Sequence, residues 1–263
     1  MEKYNIAYLA TYIDEDVKKC VDLPYSKAGL NKKNQLISIL LDHRVTIVFV
    51  SLFSRVKNVY VKSFSKKISR NVILKVPFFV KVPILNFIIN PLSVFITLRN
   101  NHKKEKIDFI ILYNCVYENV LPSYFFHKLY GVKVICQYED GWVISSGFPK
   151  SILFKISHEI CHMISCGAIV NSANFLEIFN TDNFFMFRGT VLECRKSKVK
   201  CHASKLNVLF SSSIDDIRGV SLIIDMFETT IDKEFIEKFN FIISGHGRDA
   251  IVDKLNLAID KYR

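Results

Sequence analysis

Gln137-Tyr138-Glu139-Asp140-Gly141-Trp142 sets two adjacent carboxylates, a glycine and the only tryptophan at the end of the apolar run that begins at Val132. A carboxylate takes a proton from a hydroxyl, or holds a sugar ring through paired hydrogen bonds. Glu139 and Asp140 are therefore candidate catalytic groups, with Trp142 beside them as a candidate binding residue. In the alternative, Asp140 caps a helix and Glu139 points to solvent. A second constellation lies between Leu206 and Gly247. The apolar run Leu206–Phe210 leads into Ser211-Ser212-Ser213, then Arg218-Gly219-Val220 and an amphipathic segment, Ser221–Thr230. Asn240–Ser244 is a further apolar run, closed by Gly245-His246-Gly247. Small residues after a strand let backbone N–H groups and a helix N-terminus approach a phosphate. The other reading is a plain βαβ unit without a ligand.

The elements that must position these residues follow from the hydrophobic pattern. Tyr4–Tyr12, Val45–Phe53, Val59–Phe64, Lys106–Tyr113, Val132–Gln137, Ala168–Ser172 and Phe184–Phe187 read as strands. Asn31–Asp42, Glu118–Tyr130, Pro149–Ser165 and Ile251–Ile259 read as helices, with Gly131 closing the second. Strands alternating with helices predict an α/β fold with a parallel sheet. Thr11–Gly29 reads as a long loop, either a surface connection or part of a ligand site. His158, Cys161 and His162 share one helix, with Cys166 directly after it. Without an acidic ligand or a Cys-x-x-Cys pair, they point to packing rather than to a metal.

Charge and composition narrow the function. The chain has 263 residues, a formal charge of +11 and half its residues apolar. Between His43 and Lys104 there are twelve cations and no acidic residue. The remainder carries 24 basic against 25 acidic residues, so one window holds the whole excess. Such a patch seeks phosphates. It adjoins Val72–Leu98, the most apolar stretch, whose longest charge-free run is the 17 residues Val82–Leu98. Pro83 and Pro91 interrupt that run, and a spanning helix needs about 20 apolar residues. It reads as an interfacial segment on an anionic membrane, or as a core helix with a solvated basic rim. No recognition helix or stacking motif supports a nucleic-acid partner. Seven irregularly spaced cysteines, and a start that runs directly into a strand, predict a reduced cytosolic protein.

The stretch from Leu206 to Gly247 resembles the opening of the donor-sugar domain in glycosyltransferase family four, enzymes of the B-type two-Rossmann fold. Arg218-Gly219-Val220 stands where that family has Lys-Gly-Val, and Ser212-Ser213-Ile214 where it has Gly-Arg-Leu. The resemblance implies a GT-B-like α/β chain in three parts. These are an acceptor-side Rossmann-like domain over residues 1–191, a linker over 192–205 and an incomplete donor domain over 206–263.

It further implies retaining transfer of a hexose from a nucleotide-diphosphate sugar to a lipid-linked or oligosaccharide acceptor, with no metal and no cofactor. Ser212, Ser213, Arg218, Gly219, Gly245, His246 and Gly247 would hold the donor. Glu139 stands where many members carry an acceptor-facing histidine, and the loop ending at Gly29 would shape the acceptor site. Members also carry a pair of glutamates seven residues apart, which this sequence lacks, and run about half as long again. A second chain completing the donor domain is therefore an expected partner. A non-catalytic module is the alternative to an enzyme. The setting implied is bacterial surface polysaccharide assembly at the cytoplasmic face of the membrane.

Overall fold

The computed structural model describes residues 2–13, 17, 27–50, 60–80, 82, 85–139, 150–171, 183–187, 206–211, 219–228, 238–244 and 249–260. The chain divides into two units, Met1–Cys194 and Arg195–Arg263. In the first unit the strands are β1 (Asn5–Ala10), β2 (Arg44–Phe49), β3 (Tyr60–Val61), β4 (Phe64–Ser69), β5 (Val72–Val76), β6 (Phe79–Val80), β7 (Phe109–Tyr113), β8 (Lys133–Tyr138), β9 (Ser165–Val170) and β10 (Phe184–Met186). The helices are α1 (Lys27–Ile39), α2 (Leu85–Lys104), α3 (Tyr117–Tyr130) and α4 (Lys150–Ile164). Eight strands form one sheet in the order β10-β9-β8-β7-β1-β2-β5-β4. Every pairing is parallel except that of β4 with β5.

The continuous apolar run of β1 is what a sheet covered on both faces requires. Ile6, Tyr8 and Ala10 join Ile47, Phe49, Leu74 and the α1 residues Leu36 and Ile37 in one cluster. Ala7 and Leu9 point the other way, into a cluster with Leu98 of α2, Phe126 of α3 and Ile164 of α4. Helix α3 ends at Gly131, whose φ of 66° and N–H donation to the His127 carbonyl make the left-handed C-terminal turn.

The second unit pairs β11 (Leu206–Ser211) with β12 (Phe239–Ser244) in parallel. Helices α5 (Val220–Glu228) and α6 (Asp249–Asp260) share a small core around Val220 and Leu255. Gly219 precedes α5 with φ 83°, a conformation that favours glycine.

One sequence expectation changes, and one apolar stretch resolves into separate elements. Helix α1 starts at Lys27, so Gly29 sits in its first turns and not at the end of a loop. The good helix formers Lys27 and Ala28 open the helix despite the glycine. The apolar stretch Val72–Leu98 divides into β5, β6 and the first two thirds of α2, so its charge-free run, read as an interfacial segment or a core helix, falls mainly in one helix. In β5 burial alternates along Val72-Ile73-Leu74-Lys75-Val76, the period of a pleated strand, and Val72 and Leu74 pack beside β2. Strand β4 holds Lys66 and Lys67 at the sheet edge, where lysines discourage pairing with another chain. No described helix is long and apolar enough to cross a membrane.

Candidate functional site

The strand order fixes where a ligand can sit. From β1 the chain builds outward through β2 and β5, then returns to the other side of β1 with β7, β8, β9 and β10. The order thus reverses between β1 and β7. In open α/β sheets the crevice outside the carboxyl ends at such a switch point takes the ligand. Glu139 lies on that carboxyl edge, one residue beyond β8 and two strands from β1, and its 7%-exposed side chain reaches Tyr113 of β7 and Lys32 of α1. The solvent-facing alternative for this carboxylate is excluded.

Its surroundings come from four elements. Gln137 Nε2 donates to Glu139 Oε1 at 2.8 Å, and the Tyr113 hydroxyl donates to Oε2 at 3.1 Å. Lys32 Nζ from α1 lies 3.4 Å from Oε2. The backbone is held as well. Glu139 N–H donates to Asn114 Oδ1 at 2.9 Å, and Asn171 Nδ2 donates to the Glu139 carbonyl at 2.6 Å. Behind the carboxylate, the Tyr8 hydroxyl donates to Gln137 Oε1 at 2.9 Å. Tyr8 is fully buried, and burial pushes its hydroxyl well above the ordinary tyrosine value, so it serves as a donor. Lys33 Nζ sits 4.2 Å from the centre of the Tyr113 ring, within cation–π range.

The turn after β7 is built under strain. Asn114 and Cys115 have φ values of 56° and 42°, consecutive left-handed positions without a glycine. Such residues cost about 1–2 kcal/mol each, less for asparagine. Asn114 N–H donates to the Gln137 carbonyl at 2.7 Å while its side chain accepts from Glu139. The strain is thus held by bonds that lock the β7 and β8 ends together, as strain at functional positions usually is.

The chemistry on offer is that of a hydroxyl binder. An ionised carboxylate only accepts, with about four sites. Three donors already reach Glu139, which leaves room for one more. Nearby, Asn119 Oδ1 and Asn171 Oδ1 are buried without a hydrogen-bond partner among the described residues. An unmatched buried acceptor costs about 1–3 kcal/mol, which a ligand hydroxyl would recover. A separate open groove of about 410 Å³ runs along α2, lined by Phe78, Ile89, Leu92 and Ile96 among others. It shares no residue with the Glu139 network.

Of the residues singled out in the sequence, the structure gives surroundings to Glu139, Gly29 and Gly219. Asp140, Trp142, Ser212, Ser213, Arg218, Gly245, His246 and Gly247 lie outside the described residues. So does the 192–205 linker. His158 packs on Phe154 and shares a hydrogen bond of 2.9 Å with the Tyr138 hydroxyl, in keeping with a packing role. Sequence reasoning missed Lys32, Tyr113, Asn114 and Asn171. Asn114 and Asn171 left a trace, each being a polar residue just after an apolar run. Lys32 left none, because only the fold brings α1 to the end of β8.

No family model matches this sequence, and no curated protein matches it at a significant level. Solved structures do. A sucrose-phosphate synthase from Thermosynechococcus elongatus superposes with a TM-score of 0.58 at 10% identity, over 99% of this chain and 68% of that one. Looser likenesses include a protein assigned as a UDP-N-acetylglucosamine 2-epimerase, from Listeria monocytogenes, with TM-score 0.46, 12% identity, and 98% and 67% coverage. The glycotransferase of kitacinnamycin gives TM-score 0.44, 13% identity, and 92% and 66% coverage. At such identities the likeness shows the fold alone. That fold is GT-B-like α/β: a Rossmann-like unit with a mostly parallel eight-stranded sheet, followed by a shorter Rossmann-like unit.

Proposed function

We propose that this chain is a glycosyltransferase that passes a hexose from a nucleotide-diphosphate sugar to a hydroxyl of a lipid-linked acceptor, in bacterial surface polysaccharide assembly. The observation that carries the reading is the buried Glu139 carboxylate, held by Gln137, Tyr113 and Lys32 at the carboxyl edge of a Rossmann-like sheet. It is supported by the fold shared with an enzyme named for making a sugar phosphate. In this reading Glu139 orients the acceptor hydroxyl and accepts its proton, with Asp140 and Trp142 completing the acceptor side. Asn119 and Asn171 take further acceptor hydroxyls. In the second unit Arg218, Ser212, Ser213, Gly219 and the Gly245-His246-Gly247 turn bind the donor diphosphate. A guanidinium there would offset leaving-group charge through two parallel bonds.

The acceptor's lipid places the enzyme on the cytoplasmic face of the membrane. Helix α2 supplies a surface for it. Leu85, Ile88, Leu92 and Ile96 recur at helical spacing and are exposed, and Arg99 and Lys103 extend the stripe. Each cation near anionic lipid contributes on the order of 1 kcal/mol, so a few suffice for reversible docking.

One observation favours a second reading, a non-catalytic module completed by another chain. A parallel sheet is ordinarily covered on both faces, yet Leu209 of β11 is 65% exposed and Ile242 of β12 is 44% exposed. Thermal unfolding with a panel of uridine-diphosphate hexoses tests the donor site. A ligand at 100 times its Kd stabilises by about 2.7 kcal/mol. A rise in the midpoint with one of them supports the enzyme. No rise at millimolar ligand overturns a donor site in this chain alone and favours the module.

A further inference from the structure

Three sulfur atoms converge beneath the β7–β8 ends. Cys115 follows β7, Cys136 lies in β8 and Cys161 in α4. All three are buried, and their Sγ atoms lie within 4.8 Å of one another. Thiols are weak donors and acceptors, so the three can hold one another by S–H contacts, and the same convergence from three separate elements presents three soft donors to one point. Cys115 also occupies the left-handed backbone position beside Asn114, so the strained turn that holds Glu139 contributes a thiol to the cluster.

We propose that Cys115, Cys136 and Cys161 form a binding site for a soft, singly charged ion of the Cu(I) class. Softness follows from the donor set, since sulfur ligands select Cu(I), zinc and iron–sulfur clusters over hard cations. Coordination number separates these. Zinc takes four ligands in closed sites, and no fourth cysteine, histidine or carboxylate among the described residues joins the three sulfurs. A three-coordinate ion with metal–sulfur bonds of roughly 2.3 Å needs sulfurs about 4 Å apart, inside the 4.8 Å that bounds the cluster.

The thiolate, not the thiol, is the metal ligand. Each of the three cysteines therefore gives up its proton as the ion binds: three metal–sulfur bonds form, three protons leave to solvent and no electron is transferred. The bound ion would tie β7, β8 and α4 together directly behind Asn114, and so stiffen the turn that fixes Glu139. This inference stands on the cluster geometry alone and is independent of sugar transfer.

The test uses the 263-residue chain with Cys20, Cys166, Cys194 and Cys201 changed to serine, so that only the cluster retains thiols. Cu(I) is supplied anaerobically from its bicinchoninate complex, whose colour reports transfer. One equivalent should move to the protein, and X-ray absorption should show three sulfur neighbours around the copper. In that background Cys136→Ala should weaken binding at least tenfold. No transfer, fewer than three sulfurs, or unchanged binding by Cys136→Ala would overturn the site. Should that variant fail to fold, the X-ray absorption of the parent decides alone.

Discussion

At the residue scale, the Glu139 network makes sharp demands. Gln keeps the shape of Glu but replaces one acceptor oxygen with a donor, which would face Lys32 or Gln137. Glu139→Gln should therefore lower sugar transfer by about 10²–10⁴-fold if Glu139 accepts a proton, with a far smaller change in midpoint of unfolding. A loss of activity that merely tracks loss of fold would contradict this. Tyr8→Phe removes a fully buried hydroxyl and strands Gln137 Oε1. It should cost about 1–3 kcal/mol in denaturant unfolding.

His158 adds a pH dependence. Burial holds its imidazole below the ordinary value of 6.5, outweighing the pull of Cys136 and Glu159. The unfolded chain then binds a proton that the native chain does not, so stability falls as pH drops below about 6.5 and levels off once the native imidazole protonates. The midpoint difference between wild type and His158→Gln should narrow as pH falls through that window. A difference independent of pH would show that the group does not titrate this way.

At the element scale, helix ends and strand faces were the most legible features. Gly131 was identified as a helix stop from the sequence, and its φ is positive. A Cβ there meets no atom within 4 Å, so Gly131→Ala should cost only the backbone strain, about 1 kcal/mol, by chemical denaturation. The apolar strands β1, β7 and β8 were readable because residues buried on both faces leave an unbroken hydrophobic run. The β4–β5 hairpin was not. Phe64–Ser69 is a cationic edge strand with too few apolar residues to signal itself. For Val72–Leu98 hydrophobicity was plain, but a buried strand and a half-exposed helix give similar apolar runs, and periodicity over a few residues does not separate them. The site was half legible. Glu139 was visible from its place after a strand, whereas its partners Lys32 and Asn171 are brought to it only by tertiary packing.

At the scale of the whole molecule, the uneven charge makes a separate prediction. Binding to vesicles that contain anionic lipid should be strong at low salt and weaken as ionic strength rises, since the Debye length falls from about 30 Å at 0.01 M to about 10 Å at 0.1 M. Leu92→Glu, on the exposed face of α2, should reduce vesicle binding without lowering the unfolding midpoint. Equal binding to neutral and anionic vesicles would contradict a charge-guided dock.

The role of Glu139 in sugar transfer is tested most directly by following radiolabelled hexose from a panel of uridine-diphosphate sugars into membrane lipid extract. Wild-type chain should carry label into the lipid fraction, and folded Glu139→Gln chain should carry at least a hundredfold less. Equal transfer by the two proteins, or none by wild type across the panel, would contradict it.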